Sequence, residues 1–299
     1  MKPLAFTKMH GTGNDYIYLD FVSGSPSPGL TPDDIPALCP VLSPRHTSVG
    51  SDGMVGICPA QDSRADARMR MFNADGSESA MCGNAIRCVA KYLYDRGIVK
   101  KETMVIETGA GLKRLSLTVE DGECTRVRAD MGTAVTDPAK VPVIGYDAPV
   151  IGRDCILGGR DFRAVMLSMG NPHCVIFTED PDAVDLADIG PRIENDPQFP
   201  ERVNVEFVRV LGRNELKMRV WERGSGETYA CGTGTCAAAA AAVLCGHCPY
   251  GEPVTVHLRG GDLVITVEEN LRVTMEGGAV TVCDGICYLK NEHLQLKNT

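Results

Sequence analysis

The sequence carries two copies of one short motif, in which a cysteine and a glycine directly precede a predicted helix. The segments Met71–Gly83 and Val220–Gly232 align without gaps when their Cys-Gly steps are superposed. In this alignment an aromatic residue pairs with an aromatic residue, an acidic residue with an acidic residue, and a hydroxyl residue with a hydroxyl residue. The two cysteines, Cys82 and Cys231, lie about half a chain length apart. A single repeat of half-chain period predicts two similar domains, each with a cysteine at the start of a helix.

The residues after each cysteine favour a helix. An alanine run follows Cys231, and alanine is both the strongest helix former and small enough for a helix that is surrounded on all sides. After Cys82, apolar residues recur at helical spacing as far as a stop at Gly97. The first N–H groups of a helix have no partner within it and attract anions, so a thiolate is stabilised there. Both cysteines are therefore predicted to be acid–base or nucleophilic groups.

Composition narrows the class of protein. Hydrophobic residues make up 43% and charged residues 23% of the 299 residues, the balance of a globular protein with an ample core. The net charge of −9 argues against broad binding to nucleic acid or to an anionic membrane. No apolar run reaches the ~18 residues of a membrane span, and the start lacks the apolar region of a signal peptide. Thirteen cysteines without an export signal indicate free thiols and a cytoplasmic location.

Short strand-like stretches separated by turns fill most of each half. Arg202–Val208 alternates between polar and apolar residues, as a strand does. Prolines at 138 and 142 mark an irregular passage, and we place the crossing between the halves near residue 130. We predict short helices near 32–39 and within 181–198. The other predicted strands are 4–9, 16–22, 68–72, 103–108, 112–120, 123–130, 165–169, 174–177, 215–221, 253–258, 262–268, 271–275 and 279–289.

Two further patterns have other interpretations. Gly232–Ala237 fits the G-x-G-x-x-A of dinucleotide sites, but about ten turn-like residues separate it from the preceding strand, and no P-loop lysine follows. Cys245 and Cys248 form a C-x-x-C, to which Cys283 and Cys287 could add loosely spaced zinc ligands. Because this C-x-x-C follows the alanine helix, the helix dipole disfavours a thiolate there. A structural role for these thiols is favoured, and a zinc or thiol-redox binding module remains an alternative.

Two thiols at two anion-binding helix starts suit the inversion of a carbon atom next to a carboxylate. One group must remove a proton from one face while the other delivers a proton to the opposite face, and the roles exchange in reverse. A free cysteine has a pKa of about 8.5, so both protonation states are accessible near neutral pH. The N–H groups after Cys82 and Cys231 could hold the carboxylate and stabilise the charge of the deprotonated carbon. No lysine context indicates a pyridoxal phosphate Schiff base.

Five stretches together resemble the diaminopimelate epimerase family and span nearly the whole chain: His10–Asp15, Phe72–Arg87, Met169–Cys174, Arg202–Asn204 and Trp221–Thr235. The resemblance implies an α/β (α+β) fold of two pseudo-symmetric domains, each a β-barrel-like strand layer wrapped around a central helix, with the active site in the cleft between them. The implied domains are residues 1–128, completed by a C-terminal strand within 279–299, and residues 129–278. The resemblance also implies a homodimer, no cofactor and no metal, and interconversion of LL- and meso-diaminopimelate in lysine and cell-wall precursor synthesis.

The resemblance assigns roles to individual residues. Cys82 and Cys231 match the two catalytic cysteines of the family. His173 and Glu222 match residues that tune the pKa values of the cysteines. The positions that match substrate contacts are Asn14, Asn73, Gly83, Asn84, Asn171, Asn204, Glu222, Arg223, Gly232 and Thr233, of which Gly83, Asn84, Gly232 and Thr233 correspond to the α-carboxylate cradle. Arg223 and Glu222 are expected to meet a carboxylate and an ammonium group of the amino-acid substrate.

One departure from the family pattern concerns Gly53, where many members have glutamine after the aspartate of the turn. We expect that side-chain contact to be absent here, leaving a backbone contact or none. Two related activities stay open. A racemase of another amino acid would share both thiols without needing Arg223 and the asparagines at 73, 171 and 204, whereas a related dehydratase would typically lack one of the cysteines.

Overall fold

The structure is a computed structural model that describes residues 2–289. Its contacts divide the chain into two units: the described parts of 1–129 and 277–299, and the segment 130–276. The part of the predicted C-terminal segment beyond Leu289 lies outside the described residues. Within residues 2–289, no helix combines the length and the apolar character that crossing a bilayer requires.

Residues 2–289 form four α-helices and eighteen strands. The helices are α1 (Ile35–Leu42), α2 (Gly83–Asp95), α3 (Leu186–Glu194) and α4 (Gly232–Leu244). The strands are β1 (Lys2–Gly11), β2 (Asn14–Asp20), β3 (Gly53–Cys58), β4 (Ala67–Asn73), β5 (Glu78–Ser79), β6 (Thr103–Thr108), β7 (Gly111–Glu120), β8 (Glu123–Thr133), β9 (Arg153–Leu157), β10 (Arg160–Ser168), β11 (Pro172–Phe177), β12 (Asn204–Gly212), β13 (Glu215–Glu222), β14 (Gly226–Thr228), β15 (Pro253–Leu258), β16 (Gly261–Val267), β17 (Arg272–Gly277) and β18 (Val280–Leu289).

The two units repeat one order of strand pairing. In the first, β1 pairs antiparallel with β18 and β2, β2 runs parallel to β3, and β3 pairs antiparallel with β4. A parallel step from β4 to β6 then leads into the antiparallel strands β7 and β8. The second unit follows the same scheme from β9 to β17, with parallel steps at β11–β12 and β13–β15. The internal repeat in the sequence therefore corresponds to a repeat of topology, and the mixed α/β fold predicted from the sequence is confirmed.

Each repeated cysteine directly precedes the central helix of its unit. Helix α4 contacts β10 to β13, β15 and β16, and every residue from Gly234 to Val243 is buried. Alanine suits this position because its methyl group lets strands approach the helix from all sides. Helix α2 contacts β1, β2, β4, β6 and β7, and it ends at Asp95, two residues before Gly97, whose φ of 72° favours glycine. The predicted helix starts after Cys82 and Cys231 are confirmed.

The strand predicted at Arg202–Val208 is present as β12, which begins at Asn204. In the structure every residue from Val203 to Val208 is buried. Val205 and Phe207 pack in the cluster that contains α3, whereas Val208 packs in the cluster around α4. Since side chains alternate along a strand, Asn204 and Glu206 lie on the α4 face with Val208. The polar residues of β12 therefore face the interior, near the start of the central helix, rather than solvent.

Candidate active site

Cys82 occupies the N-cap of α2, with an extended backbone at φ −140° and ψ 125°. The following backbone N–H groups belong to the first turn of the helix, where they lack partners within the helix. Cys82 lies between the short strand β5 and the helix, as the sequence repeat predicts. Its sulfur lies 3.5 Å from the side-chain oxygen of Asn14 at the start of β2. The structure thus brings together Cys82, Gly83, Asn84 and Asn14.

A chain of side-chain hydrogen bonds passes behind Cys82. The buried guanidinium of Arg87 donates to Oδ1 of Asn84 over 2.9 Å, and Nδ2 of Asn84 donates to Oδ1 of Asn14 over 3.3 Å. Nδ2 of Asn14 in turn donates to the carboxylate of Asp52 over 2.8 Å. A guanidinium can only donate and an ionised carboxylate can only accept, so the two ends of the chain fix the direction of both amides. The amide oxygen of Asn14 therefore faces the thiol of Cys82.

Charged neighbours hold Asp52 in place at one end of this series of hydrogen bonds. Asp52 also accepts from the backbone N–H of Asp15 and forms an ion pair with Arg45 at 2.6 Å. Arg45 holds Asp15 at the same distance, and Lys8 reaches Asp15 as well. With two cations beside it, the pKa of Asp15 is lowered even though burial acts in the opposite direction. The loop before β3 thereby supports Asn14 from behind.

Asn73 and Gly53 face each other across β3 and β4. The side chain of Asn73 is exposed and donates to the hydroxyl of Ser77 over 2.9 Å, within the turn after β4. A Cβ atom built on Gly53 would lie 2.0 Å from the carbonyl oxygen of Phe72. The backbone at this position therefore admits only glycine, which explains in physical terms why no side-chain contact arises from residue 53.

Cys231 occupies the N-cap of α4 and is buried. Its sulfur accepts a hydrogen bond from the backbone N–H of Gly234 at 3.3 Å and lies 3.5 Å from the hydroxyl of Thr233. The hydroxyl of Thr235 donates to the carbonyl of Cys231 over 2.6 Å and closes the first turn. The donor from the helix start favours the thiolate, as the sequence analysis expects.

Burial and two carboxylates act in the opposite direction on Cys231. Removal from water, together with the nearby charges of Glu222 and Glu206, raises the pKa of the Cys231 thiol well above its ordinary value. Burial also raises the pKa of Glu222, which accepts a hydrogen bond from the hydroxyl of Thr228. The start of α4 favours a thiolate at Cys231, and burial together with these carboxylates opposes that effect.

His173 joins Cys231 to a buried acid. Its Nδ1 lies 2.7 Å from Oε1 of Glu206, and both side chains are fully buried. Its Nε2 lies 3.0 Å from Oδ1 of Asn171, whose Nδ2 donates to the hydroxyl of Thr233 over 3.4 Å. Burial raises the pKa of Glu206, while His173 partly offsets this effect. The structure thus brings His173, Asn171 and Thr233 to Cys231 along one continuous chain of contacts.

The remaining predicted residues of this unit lie at the ends of β12 and β13. Asn204 donates to the carbonyl of Pro172 over 2.8 Å and accepts from the backbone N–H of Arg223 over 3.0 Å. The guanidinium of Arg223 donates to the carbonyl of Glu201. Parallel pairing sets Asn204 beside His173 in the sheet. Asn204 therefore ties three chain segments together at the predicted substrate end.

Sequence analysis did not assign a role to Glu206, Asp52 or Arg87. At Glu206 the sequence does indicate a buried polar group, since this charged residue lies between the apolar residues Val205 and Phe207. Arg87 similarly interrupts the apolar positions of α2 and is fully buried. A buried charge requires partners, so such an interruption marks a polar cluster in the interior. The sequence does not reveal the identity of those partners, because they lie on other strands.

The C-x-x-C segment lies at the other end of α4, away from the helix start. Cys245 is the C-cap of α4, Cys248 is buried, and the ring of His247 packs against Phe177 with centroids 4.8 Å apart. Over the part of the chain that the structure describes, no three His, Cys, Asp or Glu side chains cluster as metal ligands do. These contacts favour a packing role for the two thiols.

The family can be decided by comparison of the whole chain with known proteins. The model of the family described as diaminopimelate epimerase matches residues 6–136 and 165–282. The chain belongs to the diaminopimelate epimerase family. It is 45% identical over 291 residues to the diaminopimelate epimerase of Geobacillus kaustophilus (strain HTA426), covering 97% of this chain and 98% of the relative. It is 50% identical over 280 residues to that of Pelotomaculum thermopropionicum, covering 94% and 97%.

Solved structures of more distant proteins share the fold. A phenazine biosynthesis protein of the PhzF family from Bacillus anthracis superposes with a TM-score of 0.66 at 18% identity, covering 97% of this chain and all of that one. A hydroxyproline epimerase from Agrobacterium vitis gives a TM-score of 0.66 at 17% identity, covering 97% and 93%. At such low identity these likenesses show the two-domain fold alone.

Proposed function

We propose that this protein interconverts LL- and meso-diaminopimelate. The observation that carries the proposal is the match to diaminopimelate epimerases at 45–50% identity over more than nine-tenths of the chain. The two cysteines at the helix starts support it, because each supplies an acid–base group beside free backbone N–H groups.

In the proposed mechanism the two thiols serve opposite faces of the α-carbon. One cysteine, as the thiolate, removes the α-proton, and the other, as the thiol, delivers its own proton to the opposite face. The reverse reaction exchanges the two roles. The high pKa of Cys231 in the substrate-free structure supports Cys231 as the thiol that donates first. Cys82 then acts as the base in that direction.

The substrate carboxylate is proposed to rest on the backbone N–H groups at the starts of α2 and α4. Gly83 and Asn84 would contribute from one helix, and Gly232 and Thr233 from the other. Helix starts favour anions, and their N–H groups stabilise the charge that develops when the α-carbon loses its proton. This stabilisation operates without a pyridoxal ring or a metal ion, so the proposed reaction needs no cofactor.

The remote end of the substrate is proposed to bind Arg223, Glu222 and the asparagines at 73, 171 and 204. A guanidinium holds a carboxylate with two hydrogen bonds, and a carboxylate holds an ammonium group. His173 and Glu222 are proposed to tune the pKa of Cys231, to which both are connected in the structure. The proposed domains are residues 1–128, completed by the C-terminal strand, and residues 129–278.

We further propose a cytoplasmic homodimer. The thirteen cysteines all lie within residues 2–289 and form no disulfide there, which suits a reducing compartment. The outer face of β18 exposes several large apolar side chains, including Ile286 and Tyr288. Pro3 and Ala5 of β1, which pair with these two residues, are exposed as well. An apolar patch of this kind supports self-association.

Purified, reduced protein without pyridoxal phosphate tests the proposed function. Incubation with LL-diaminopimelate should yield the meso isomer, separated by chiral chromatography, and meso-diaminopimelate should yield the LL isomer. Proline, glutamate and hydroxyproline serve as comparison substrates and should remain unchanged. Inversion of one of these amino acids, with no change in diaminopimelate, would overturn the proposed substrate but keep the two-thiol mechanism.

A further inference from the structure

The strongest feature that the proposed function leaves unused is the buried carboxylate of Glu206. It lies on β12, fully buried, with Oε1 against His173. Oε2 is buried and has no hydrogen-bond partner in the structure. A buried carboxylate with one bare oxygen is costly, so its retention requires a compensating role. Gly234 makes room for it, because a Cβ atom there would lie 2.7 Å from Oε1 of Glu206 and 3.2 Å from the sulfur of Cys231.

Both ring nitrogens of His173 face oxygen atoms. Nδ1 faces Oε1 of Glu206 at 2.7 Å, and Nε2 faces Oδ1 of Asn171 at 3.0 Å. A carbonyl oxygen only accepts, so Nε2 must carry a hydrogen. The 2.7 Å contact between Nδ1 and Oε1 of Glu206 needs a hydrogen as well. Two arrangements satisfy both requirements: a His173 cation beside ionised Glu206, or neutral His173 accepting from protonated Glu206. In both arrangements the Glu206–His173 pair carries one proton more than it would if Glu206 were ionised and His173 were neutral.

That proton sets the direction of every later contact in the chain. Since Nε2 of His173 donates to Oδ1 of Asn171, the amide nitrogen of Asn171 points to Thr233 and donates to its hydroxyl oxygen. The hydroxyl hydrogen of Thr233 is then free to donate to the sulfur of Cys231, 3.5 Å away. If the shared proton were lost, bare Nε2 would repel the Asn171 oxygen, the amide would turn over, and Thr233 would have to donate to Asn171 instead.

We infer that Glu206 is a positioning residue for Cys231. Glu206 and His173 hold one proton jointly, and this proton keeps the hydroxyl of Thr233 directed as a hydrogen-bond donor at the sulfur of Cys231. The inference rests on the proposed function in that Cys231 must be able to carry negative charge. The titratable groups that face this sulfur are Glu222 from β13 and Glu206 from β12, with His173 from β11 beside Glu206. Because the shared proton leaves the Glu206–His173 pair without net charge, Glu206 acts on Cys231 by orienting a donor.

The first test observes the proton on His173 directly. In protein labelled with ¹⁵N-histidine, the His173 signals are assigned by their loss in His173→Gln. Nε2 should be fully protonated from pH 6 to pH 9 in the wild type. In Glu206→Gln the amide at position 206 can either donate to Nδ1 or accept from it, so Nε2 is protonated only part of the time. The ¹⁵N signal of Nε2 should then move toward the average of the signals for protonated and bare nitrogen. Bare Nε2 in the wild type, or fully protonated Nε2 in Glu206→Gln, would overturn the inference. The wild-type spectrum is informative even if the variant fails to fold.

The second test separates orientation from charge by a double-mutant cycle. The pH dependence of Cys231 alkylation is measured by peptide mass spectrometry in four proteins that share Cys82→Ser, with and without Glu206→Gln and Thr233→Val. In the Thr233→Val background, Glu206→Gln replaces a Glu206–His173 pair of zero net charge by two neutral side chains, so the apparent pKa of Cys231 should change little. Where Thr233 is retained, the oriented donor is lost as well, so the apparent pKa of Cys231 should be higher by about half a pH unit, the worth of one hydrogen bond. Equal shifts in the two backgrounds would contradict the positioning role.

Both readouts are independent of turnover. If they succeed while diaminopimelate is not inverted, the proposed function fails and the role of Glu206 stands. If diaminopimelate is inverted while the cycle shows no coupling, the proposed function stands and the role of Glu206 fails.

Discussion

The side-chain oxygen of Asn14 faces the sulfur of Cys82 at 3.5 Å, in a direction set by neighbours on both sides. Arg87 acts on one side through Asn84, and Asp52 acts on the other. An acceptor held against the sulfur stabilises the thiol form, which Cys82 reaches once it has removed the α-proton in the proposed mechanism. The corresponding neighbours of Cys231 are donors, the N–H of Gly234 and the hydroxyl of Thr233. The two repeats therefore place chemically opposite groups beside their cysteines.

Asp52 is expected to support Asn14 by accepting its amide hydrogen. Asp52→Ala removes that acceptor, whereas Asp52→Asn removes the charge but keeps an oxygen that can accept from Asn14. We predict that kcat/KM for LL-diaminopimelate falls about tenfold in Asp52→Ala, equivalent to about 1.4 kcal/mol, and clearly less in Asp52→Asn. Both variants lose the ion pair with Arg45, so the difference between them reports on the hydrogen bond. Equal losses would indicate that charge alone matters.

Gly53 is expected to be required by its backbone contact with Phe72. We predict that Gly53→Ala lowers the free energy of unfolding by about 3 kcal/mol or more, because the methyl group would overlap the carbonyl oxygen. Gly212 of β12 is a suitable control, since a Cβ atom there meets only atoms of Glu215 at 3.9 Å. Urea denaturation measures both changes. A Gly53→Ala protein as stable as Gly212→Ala would show that the backbone at residue 53 readily moves.

The fold could be predicted from the sequence where the signal is local. The alanine run, the apolar spacing of α2 and the paired Cys-Gly steps each lie within one short segment, and the structure confirms both helix starts. Glu206 could not be assigned, because its partner His173 lies on the neighbouring parallel strand, 33 positions earlier. Which strands pair depends on contacts between distant segments, and one sequence does not state them.

The protonation of Cys231 illustrates the same limit. A helix start favours a thiolate, and that effect is visible in the sequence. Burial and the carboxylates of Glu222 and Glu206 outweigh it, and these come from two other strands. The complete burial of β12 likewise depends on distant segments, because the helices that cover its two faces leave no signal in the sequence of the strand itself.

The raised pKa of Cys231 gives a prediction for pH dependence. Because burial and the charges of Glu222 and Glu206 favour the thiol, its alkylation in Cys82→Ser protein should stay slow at neutral pH and increase only above pH 9. Glu222→Gln removes one of these charges and should lower the apparent pKa, whereas Glu215→Gln at the exposed start of the same strand should leave it unchanged. Rapid alkylation of Cys231 at pH 7 in the Cys82→Ser protein would contradict this account.

The proposed dimer can be tested with two matched isoleucines. Ile286 lies on β18 among other exposed apolar residues and is 63% exposed, whereas Ile156 on β9 is 65% exposed. We predict that Ile286→Asp converts the dimer to a monomer in sedimentation velocity, since an interface does not accommodate an unpaired buried charge. Ile156→Asp should remain dimeric. Dissociation by Ile156→Asp alone would place the interface elsewhere, and a monomeric wild type would refute the dimer.

Exchange of the α-proton with solvent tests the central claim most directly. Reduced wild-type protein, Cys82→Ala and Cys231→Ala are each incubated with LL-diaminopimelate in D₂O, and the α-proton and the meso isomer are followed by NMR. The two-thiol account predicts that the wild type replaces the α-proton with deuterium as the meso isomer forms, and that neither variant forms it. Full epimerisation by either single variant would show that the missing cysteine is not one of the two bases.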